Sequence, residues 1–452
     1  MDHETKVNNT APNDASEAAV LAEIEEHHET LLLRRRVFPR AGLVGAIAGL
    51  TALAFRAILR GADVSRTALI SWAHTLPAAG WVFPVMLGLV GAGIAVALTT
   101  RWACAAAGSG IPNVEAVLDG HGKLAWRRLL PVKFLGGIIG IGSGLTMGRE
   151  GPTIQMGAAV GEAIAESMHV SGQERLTLIT AGSGAGLAAA FNAPLAGLVF
   201  VLEEIRHDFE PIVFGACLVA AIVADIVARV GAGQFPVFDV PTYPVPPLGS
   251  LPAFVVLGVV AGLFGAAFNK SLLAMMDLYS RVPKHLTVAA AAATGAAIGL
   301  VGWFSPILIG SGNSLAGSVL QGNMLFSTIL VFFVMRFLMT IASYGTGASG
   351  GIFAPLLVLG ALIGLAIGQL AHLVTPTLVP IPAAFAVVGM AAYFVAVVRA
   401  PLTGIVLITE MTGTYSYMLP LLVSCFCAYA VCELLRDKPI YEALLERELQ
   451  RR

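Results

Sequence analysis

Apolar residues run along this chain in long stretches instead of alternating with polar ones. Stretches long enough to cross, or partly cross, a bilayer begin near Ala41, Val82, Pro131, Leu176, Pro211, Ala253, Val288, Ser327, Ile352, Pro382, Leu402 and Met418. The pattern predicts roughly a dozen or more helical segments. Glycine interrupts many of them, so several spans are expected to be tilted or incomplete. Phe235 to Pro252 carries prolines at 236, 241, 244, 246, 247 and 252 and reads as an irregular connection.

The stretches on either side of that connection resemble each other. Gly148-Arg-Glu-Gly-Pro152 and Gly351-Ile-Phe-Ala-Pro355 each open an apolar segment, 203 positions apart. The same offset relates Ala185–Phe191 to Val388–Phe394. After four extra residues it becomes 207, where Ala193-Pro-Leu-Ala-Gly197 meets Ala400-Pro-Leu-Thr-Gly404 and Glu203 meets Glu410. Such a repeat is a mark of secondary transporters, whose substrate lies near the midplane where broken helices meet. The sequence alone leaves open whether the repeats are parallel or inverted. The expected division is a cytoplasmic segment with a surface helix at 1–36, a first membrane repeat at 37–230, the connection at 231–252, a second membrane repeat at 253–435, and a short cytoplasmic tail with Tyr441 at 436–452.

Composition agrees: 57% of residues are hydrophobic and 12% charged, about half the charged share of a soluble domain. A soluble enzyme is largely excluded. The net charge of -1 gives no basic excess for nucleic acid. Cys104, Cys217, Cys425, Cys427 and Cys432 all lie in apolar runs without metal-ligand spacing, so they are expected to be buried, and no metal or cofactor is implied. The first 33 residues hold eight acids (Asp2, Glu4, Asp14, Glu17, Glu23, Glu25, Glu26 and Glu29) and one lysine, unlike a signal peptide. A surface helix capped by Ser16 is expected there. Arg34, Arg35, Arg36 and Arg40 before the first span place the N-terminus in the cytoplasm.

Three pentads carry the chemistry. They are Gly108, Ser109, Gly110, Ile111 and Pro112; Gly148, Arg149, Glu150, Gly151 and Pro152; and Gly351, Ile352, Phe353, Ala354 and Pro355. Each has the form of a helix start, where proline needs no N–H and glycine lets the chain turn. Irregular backbone at membrane depth is tolerated where it lines a cavity or is covered by protein. Unpaired first-turn amides and a partial charge of about +0.5 suit an anion. Amides and hydroxyls such as that of Ser109 would also release the ion, which a lysine in low dielectric would hold.

Glu150 stands in the first turn of such a helix. A carboxylate in the membrane costs at least ~2.5–3.5 kcal/mol on insertion scales, so it is expected to be functional. Its charge can occupy the anion's place, and protonation vacates it. Permanent pairing with Arg149 is the competing reading, although adjacent helical residues rarely face each other. Glu203 and Glu204, beside Arg206 and His207, are either a solvated helix end or an inner proton station.

With these motifs the sequence resembles the CLC family of chloride channels and proton/chloride exchangers from about Ala41 to Tyr441. GSGIP, GREGP and GIFAP occur in family order, with FNAPLAG and the Glu203-Glu204 pair between the second and third. The resemblance implies an all-α polytopic membrane protein, an antiparallel internal repeat of about eighteen tilted and broken helices, in a homodimer with one pore per subunit. It implies that Ser109, Tyr441 and the amides of Ile352 and Phe353 hold chloride. Tyr441 rests on Lys438-Pro-Ile-Tyr441 alone. Glu150 becomes the outer gate, and Glu204 the inner proton-transfer carboxylate, which favours exchange over a passive channel. Chloride and protons are then the transported partners, with membrane lipid around the chain.

Serine at 109 looks like a chloride-preferring filter, since nitrate-preferring relatives often have proline there. Asn113, and Ala348-Ser349 before Gly350, depart from the common pattern. Glu115 and Lys133 either pair near the filter or have a structural role, and the structural role is the safer reading. The short tail after Tyr441 implies no paired nucleotide-binding regulatory domains, and the chain suits a bacterial inner membrane with both termini cytoplasmic. From another class, Gly347-Ala-Ser-Gly350 fits the rhomboid intramembrane protease pattern, with Ser349 as nucleophile and His372 as base.

Overall fold

The computed structural model describes the backbone of residues 14–451 except 235, 239 and 242, and side chains between residues 35 and 450. Asp2 and Glu4 lie outside the described residues. Eight helices precede the connection: α1 (Asp14–Ala73), α2 (Val82–Trp102), α3 (Ile111–Leu118), α4 (Trp126–Gly142), α5 (Glu150–Ser167), α6 (Gly172–Phe191), α7 (Pro194–Phe200) and α8 (Pro211–Ala232). Eight follow it: α9 (Leu251–Ser280), α10 (Thr287–Phe304), α11 (Asn313–Leu320), α12 (Phe326–Gly345), α13 (Phe353–Val374), α14 (Ala384–Val398), α15 (Pro401–Thr412) and α16 (Met418–Leu434). The amphipathic α17 (Ile440–Arg451) closes the described chain. Among the described residues, eight helices are long and apolar enough to cross a membrane. The protein is a multi-pass integral membrane protein.

Among the described residues the seventeen α-helices agree with the roughly eighteen that the resemblance implies, and the expected surface helix and first span form one element, since α1 does not break before Ala41. It continues through Pro39, which removes one backbone bond without ending a helix of 60 residues. The backbone of Ser16 accordingly lies inside α1, and the side chain expected to cap it lies outside the described residues. Pro131 likewise falls inside α4 instead of opening it.

Equivalent helices of the two halves pack in equivalent ways. A Cβ on Gly157, Gly161 or Gly186 would strike the facing backbone between α5 and α6. Gly360, Gly364 and Gly389 do the same, 203 positions later, between α13 and α14. Small residues at four-residue spacing let these helices approach until their backbones touch. The four residues that change the offset from 203 to 207 are one further turn at the end of α14, so the contact face is kept. Both α6 and α14 then end in a left-handed residue, Asn192 (φ 52°) and Arg399 (φ 72°).

The halves meet around a local two-fold axis. Gly148 and Gly351, equivalent residues, form an antiparallel pair in which each N–H donates to the other's carbonyl, at 2.7 and 2.8 Å. Glu203 accepts from the amides of Leu402 (3.0 Å) and Thr403 (2.7 Å) at the start of α15. Its equivalent, Glu410, accepts from Leu195 (3.2 Å) and Ala196 (2.8 Å) at the start of α7. Reciprocal exchange of this kind relates the two repeats by a two-fold rotation. It also settles the role of Glu203, which caps a helix of the opposite repeat and is not a free carboxylate.

Candidate anion and proton site

The three pentads form one knot of chain. The Gly108 N–H donates to Ala348 O, and the Gly350 N–H to Gly108 O, both at 3.0 Å. The Gly148–Gly351 pair ties the other two loops together. Gly108 (φ 60°) and Gly110 (φ 82°) hold left-handed conformations, and a Cβ on Gly351 would come within 2.9 Å of the Gly151 nitrogen. From this knot α3, α5 and α13 all start, so the partial positive ends of three helices share one place. Pro112 sits in the first turn of α3, and Pro152 and Pro355 at the third helical positions of α5 and α13.

Glu150 is the first residue of α5 and 1% exposed. Its carboxylate turns to the neighbouring helix start, where the Ala354 N–H donates to Oε2 across 3.4 Å. A carboxyl group therefore already stands at an amide of the third pentad. Arg149 faces it more closely than helical spacing suggested, with Nε 3.8 Å from Oε1, because Arg149 precedes the helix. No hydrogen bond joins them: both atoms are buried without a hydrogen-bond partner, and Arg149 Nη2 donates to Ala190 O at 3.1 Å.

Ser109, Ile352, Phe353 and Tyr441 are each 0% exposed. The Tyr441 ring packs on Phe353 with centroids 6.2 Å apart, and its buried hydroxyl has no hydrogen-bond partner. That hydroxyl is within electrostatic range of Glu150, Glu204, Glu115 and Tyr344. Sequence reasoning missed Tyr344, at the end of α12, whose hydroxyl is 3.4 Å from Ser109 Oγ. Only its position shortly before the third pentad could have drawn attention to it.

Lys133 does not pair with Glu115. Its ammonium donates to Ala106 O (3.1 Å) and Gly108 O (2.7 Å), drawing the carbonyls of the first loop behind it. Arg336, the equivalent residue in α12, donates to Leu308 O and Gly310 O (2.9 Å each) and Ser311 O (3.0 Å). Gly310-Ser-Gly312 is thus the second repeat's copy of Gly108-Ser-Gly110, hidden in the sequence because Asn313-Ser314 replaces Ile-Pro. The Arg336 guanidinium lies where a Cβ on Gly312 would point, so this copy packs against its own cation.

Glu204 is not at a solvated helix end. It lies in a wide, π-type turn, Val201–Arg206, and is 8% exposed. With Glu115, Asp119, Glu203, Glu442, His207 and Arg399 it lines a cavity of about 280 Å³. Burial among like charges favours carriage of a proton over permanent ionisation. Asn113 accepts from Gln155 Nε2 (3.1 Å), and Gln155 also donates to Ala105 O (2.8 Å), so this departure braces the first loop.

A second cavity, of about 310 Å³, reaches Gly108, Gly110 and Tyr344 and is flanked by Lys284 and Arg447. Cys104 lines it and, contrary to expectation, is exposed; Cys217, Cys425 and Cys432 are buried and Cys427 half-buried. A charged thiol reagent is expected to remove most anion flux, and Cys104→Ser to abolish that sensitivity, in a vesicle flux assay. Undiminished flux after verified labelling of Cys104 would separate this cavity from the ion path.

The protease arrangement is absent. Ser349 donates to Lys133 O at 3.2 Å. His372 binds Val379 O at 2.7 Å in the last turn of α13, about 28 Å along the helix from its start. No nucleophile–base pair can form.

Comparison with known proteins agrees with this geometry. A model of the voltage gated chloride channel family matches residues 91–433. The chain belongs to that family. An H(+)/Cl(-) exchange transporter ClcA from Vibrio parahaemolyticus is 40% identical over 421 residues, covering 91% of this chain and 89% of that protein. A protein of the same name from Cronobacter sakazakii is 36% identical over 438 residues, covering 96% and 93%. A solved structure, a slow cyanobacterial Cl-/H+ antiporter, superposes with a TM-score of 0.88 at 36% identity, covering 92% of this chain and 98% of that one. These relatives are named as transporters.

Proposed function

We propose that this protein is a secondary transporter exchanging chloride for protons, and not an enzyme. One observation carries the reading: the Glu150 carboxylate stands at the Ala354 amide, on the same knot as Ser109. Chloride is held by the Ser109 and Tyr441 hydroxyls and the amides of Ile352 and Phe353, within a filter formed by the three pentads. These donors carry partial charges, so they replace hydration water without trapping the ion.

Glu150 is the outer gate. Ionised, it fills the anion's place; protonated, it loses its attraction for the helix starts and yields to chloride. Glu204 receives the proton from the other side, through the acid-lined cavity. The two routes diverge below Tyr441, chloride leaving by the cavity at Cys104 and the proton by that at Glu204. The relatives' names as exchange transporters support the coupling.

The membrane is proposed to be a bacterial inner membrane, with both termini cytoplasmic, as the arginines at 34–36 and 40 favour. A homodimer is proposed through the exposed apolar stripes Ile222 and Ile226 on α8 and Leu419, Leu422 and Phe426 on α16. No cofactor is required. Purified protein in liposomes with a chloride gradient and no proton gradient is expected to drive protons uphill. Chloride flux without proton movement would show a passive channel instead.

A further inference from the structure

Beside Ser109 stands a hydroxyl that the proposed chloride ligands do not include. Tyr344 is 4% exposed, and it lines the 310 Å³ cavity together with Gly108 and Gly110. Its ring is set flush against the first loop: a Cβ on Gly108 would lie 3.0 Å from the Tyr344 hydroxyl oxygen. The residue therefore stands between the cavity and Ser109.

The hydrogen bonds around Ser109 have a direction. The Ser109 N–H donates to the Tyr344 hydroxyl oxygen at 3.4 Å. The Tyr344 O–H then donates to Ser109 Oγ, also at 3.4 Å. Ser109 Oγ accepts a second bond, from the Ile111 N–H, at 3.4 Å. A serine oxygen has two acceptor sites and one proton. With both acceptor sites engaged, the remaining O–H has only its donor function to offer. Each bond is longer than the usual range for its type, so none locks the side chain, but together they bias which way its proton points.

We propose that Tyr344 is a positioning residue for the anion site, holding the Ser109 hydroxyl as a donor toward chloride. This rests on the proposed chloride role of Ser109. Without the tyrosine hydroxyl, one acceptor site on Ser109 becomes free and faces the anion with negative charge in a fraction of its rotamers. The neighbouring Tyr441 hydroxyl has no protein partner and needs no such direction.

Tyr344→Phe keeps the ring and removes only the hydroxyl. Chloride binding to the purified protein, measured by isothermal titration, is expected to weaken about three- to tenfold, the scale of one net hydrogen bond. In liposomes the half-saturating chloride concentration should rise similarly, while the ratio of protons to chloride stays that of the wild type. Because Tyr344 acts through Ser109, Tyr344→Phe added to Ser109→Ala should cost nothing further. Wild-type affinity in Tyr344→Phe, or losses that add in the double variant, would overturn the proposal. A wild-type protein that binds no chloride would instead remove the function on which it rests, so the two failures are distinguishable.

Discussion

Glu150→Gln is expected to reduce proton movement to the background of protein-free liposomes while chloride continues to flow. Glutamine keeps the size of the side chain and its place at the start of α5, but it carries no charge and no titratable proton at neutral pH. Two consequences follow from the geometry. The group facing the Ala354 amide no longer competes electrostatically with chloride, because only the ionised form is drawn to the helix starts. The proton also loses its outer acceptor, so the two fluxes separate. A chloride electrode and a pH electrode on the same vesicles measure both. Retained coupling would place the gate at another residue.

Glu204→Gln is expected to give the same uncoupling by a different route. Glu204 is buried in the π-type turn and lines the acid cavity, and it lies within range of Tyr441. Glu203 beside it is committed to the amides of Leu402 and Thr403, so it cannot substitute as a carrier. Chloride affinity should stay at the wild-type value, since the filter loops do not touch this turn through any hydrogen bond among the described residues. Proton flux unchanged from wild type would move the inner station to another acid of the cavity, and Glu115, also within range of Tyr441, would be the next to test.

The sequence carried the repeat, the three helix starts and Glu150 because each depends on local chemistry: glycine where φ is positive, proline in a first turn, an acid where lipid forbids one. What it did not carry depends on what folds against what. Glu203 and Glu204 are adjacent and chemically identical, yet one caps α15 and the other faces a cavity, and only the π-type turn divides them. Charge alone offers Lys133 an acid as partner, whereas its ammonium donates to backbone carbonyls of the first loop. Arg336 and Gly310-Ser-Gly312 stayed hidden because the copy kept its geometry and lost its proline. Cys104 sits in an apolar run, but the chain bends open at the cavity, so hydropathy gave the wrong burial. Tyr344 reads as one more aromatic at the end of a span until its hydroxyl is seen against Ser109.

The central claim is that Ser109, Tyr441 and the first amides of α13 surround a halide whose place Glu150 can take. Anomalous scattering from crystals grown in bromide locates that ion directly. The expected result is one peak within hydrogen-bonding reach of the Ser109 and Tyr441 hydroxyls and the Ile352 and Phe353 amides in the wild type. In Glu150→Gln a further peak should appear where the carboxylate stood, beside the Ala354 amide. Bromide absent from that knot of chain in both proteins, or bound only at surface arginines, would contradict the account.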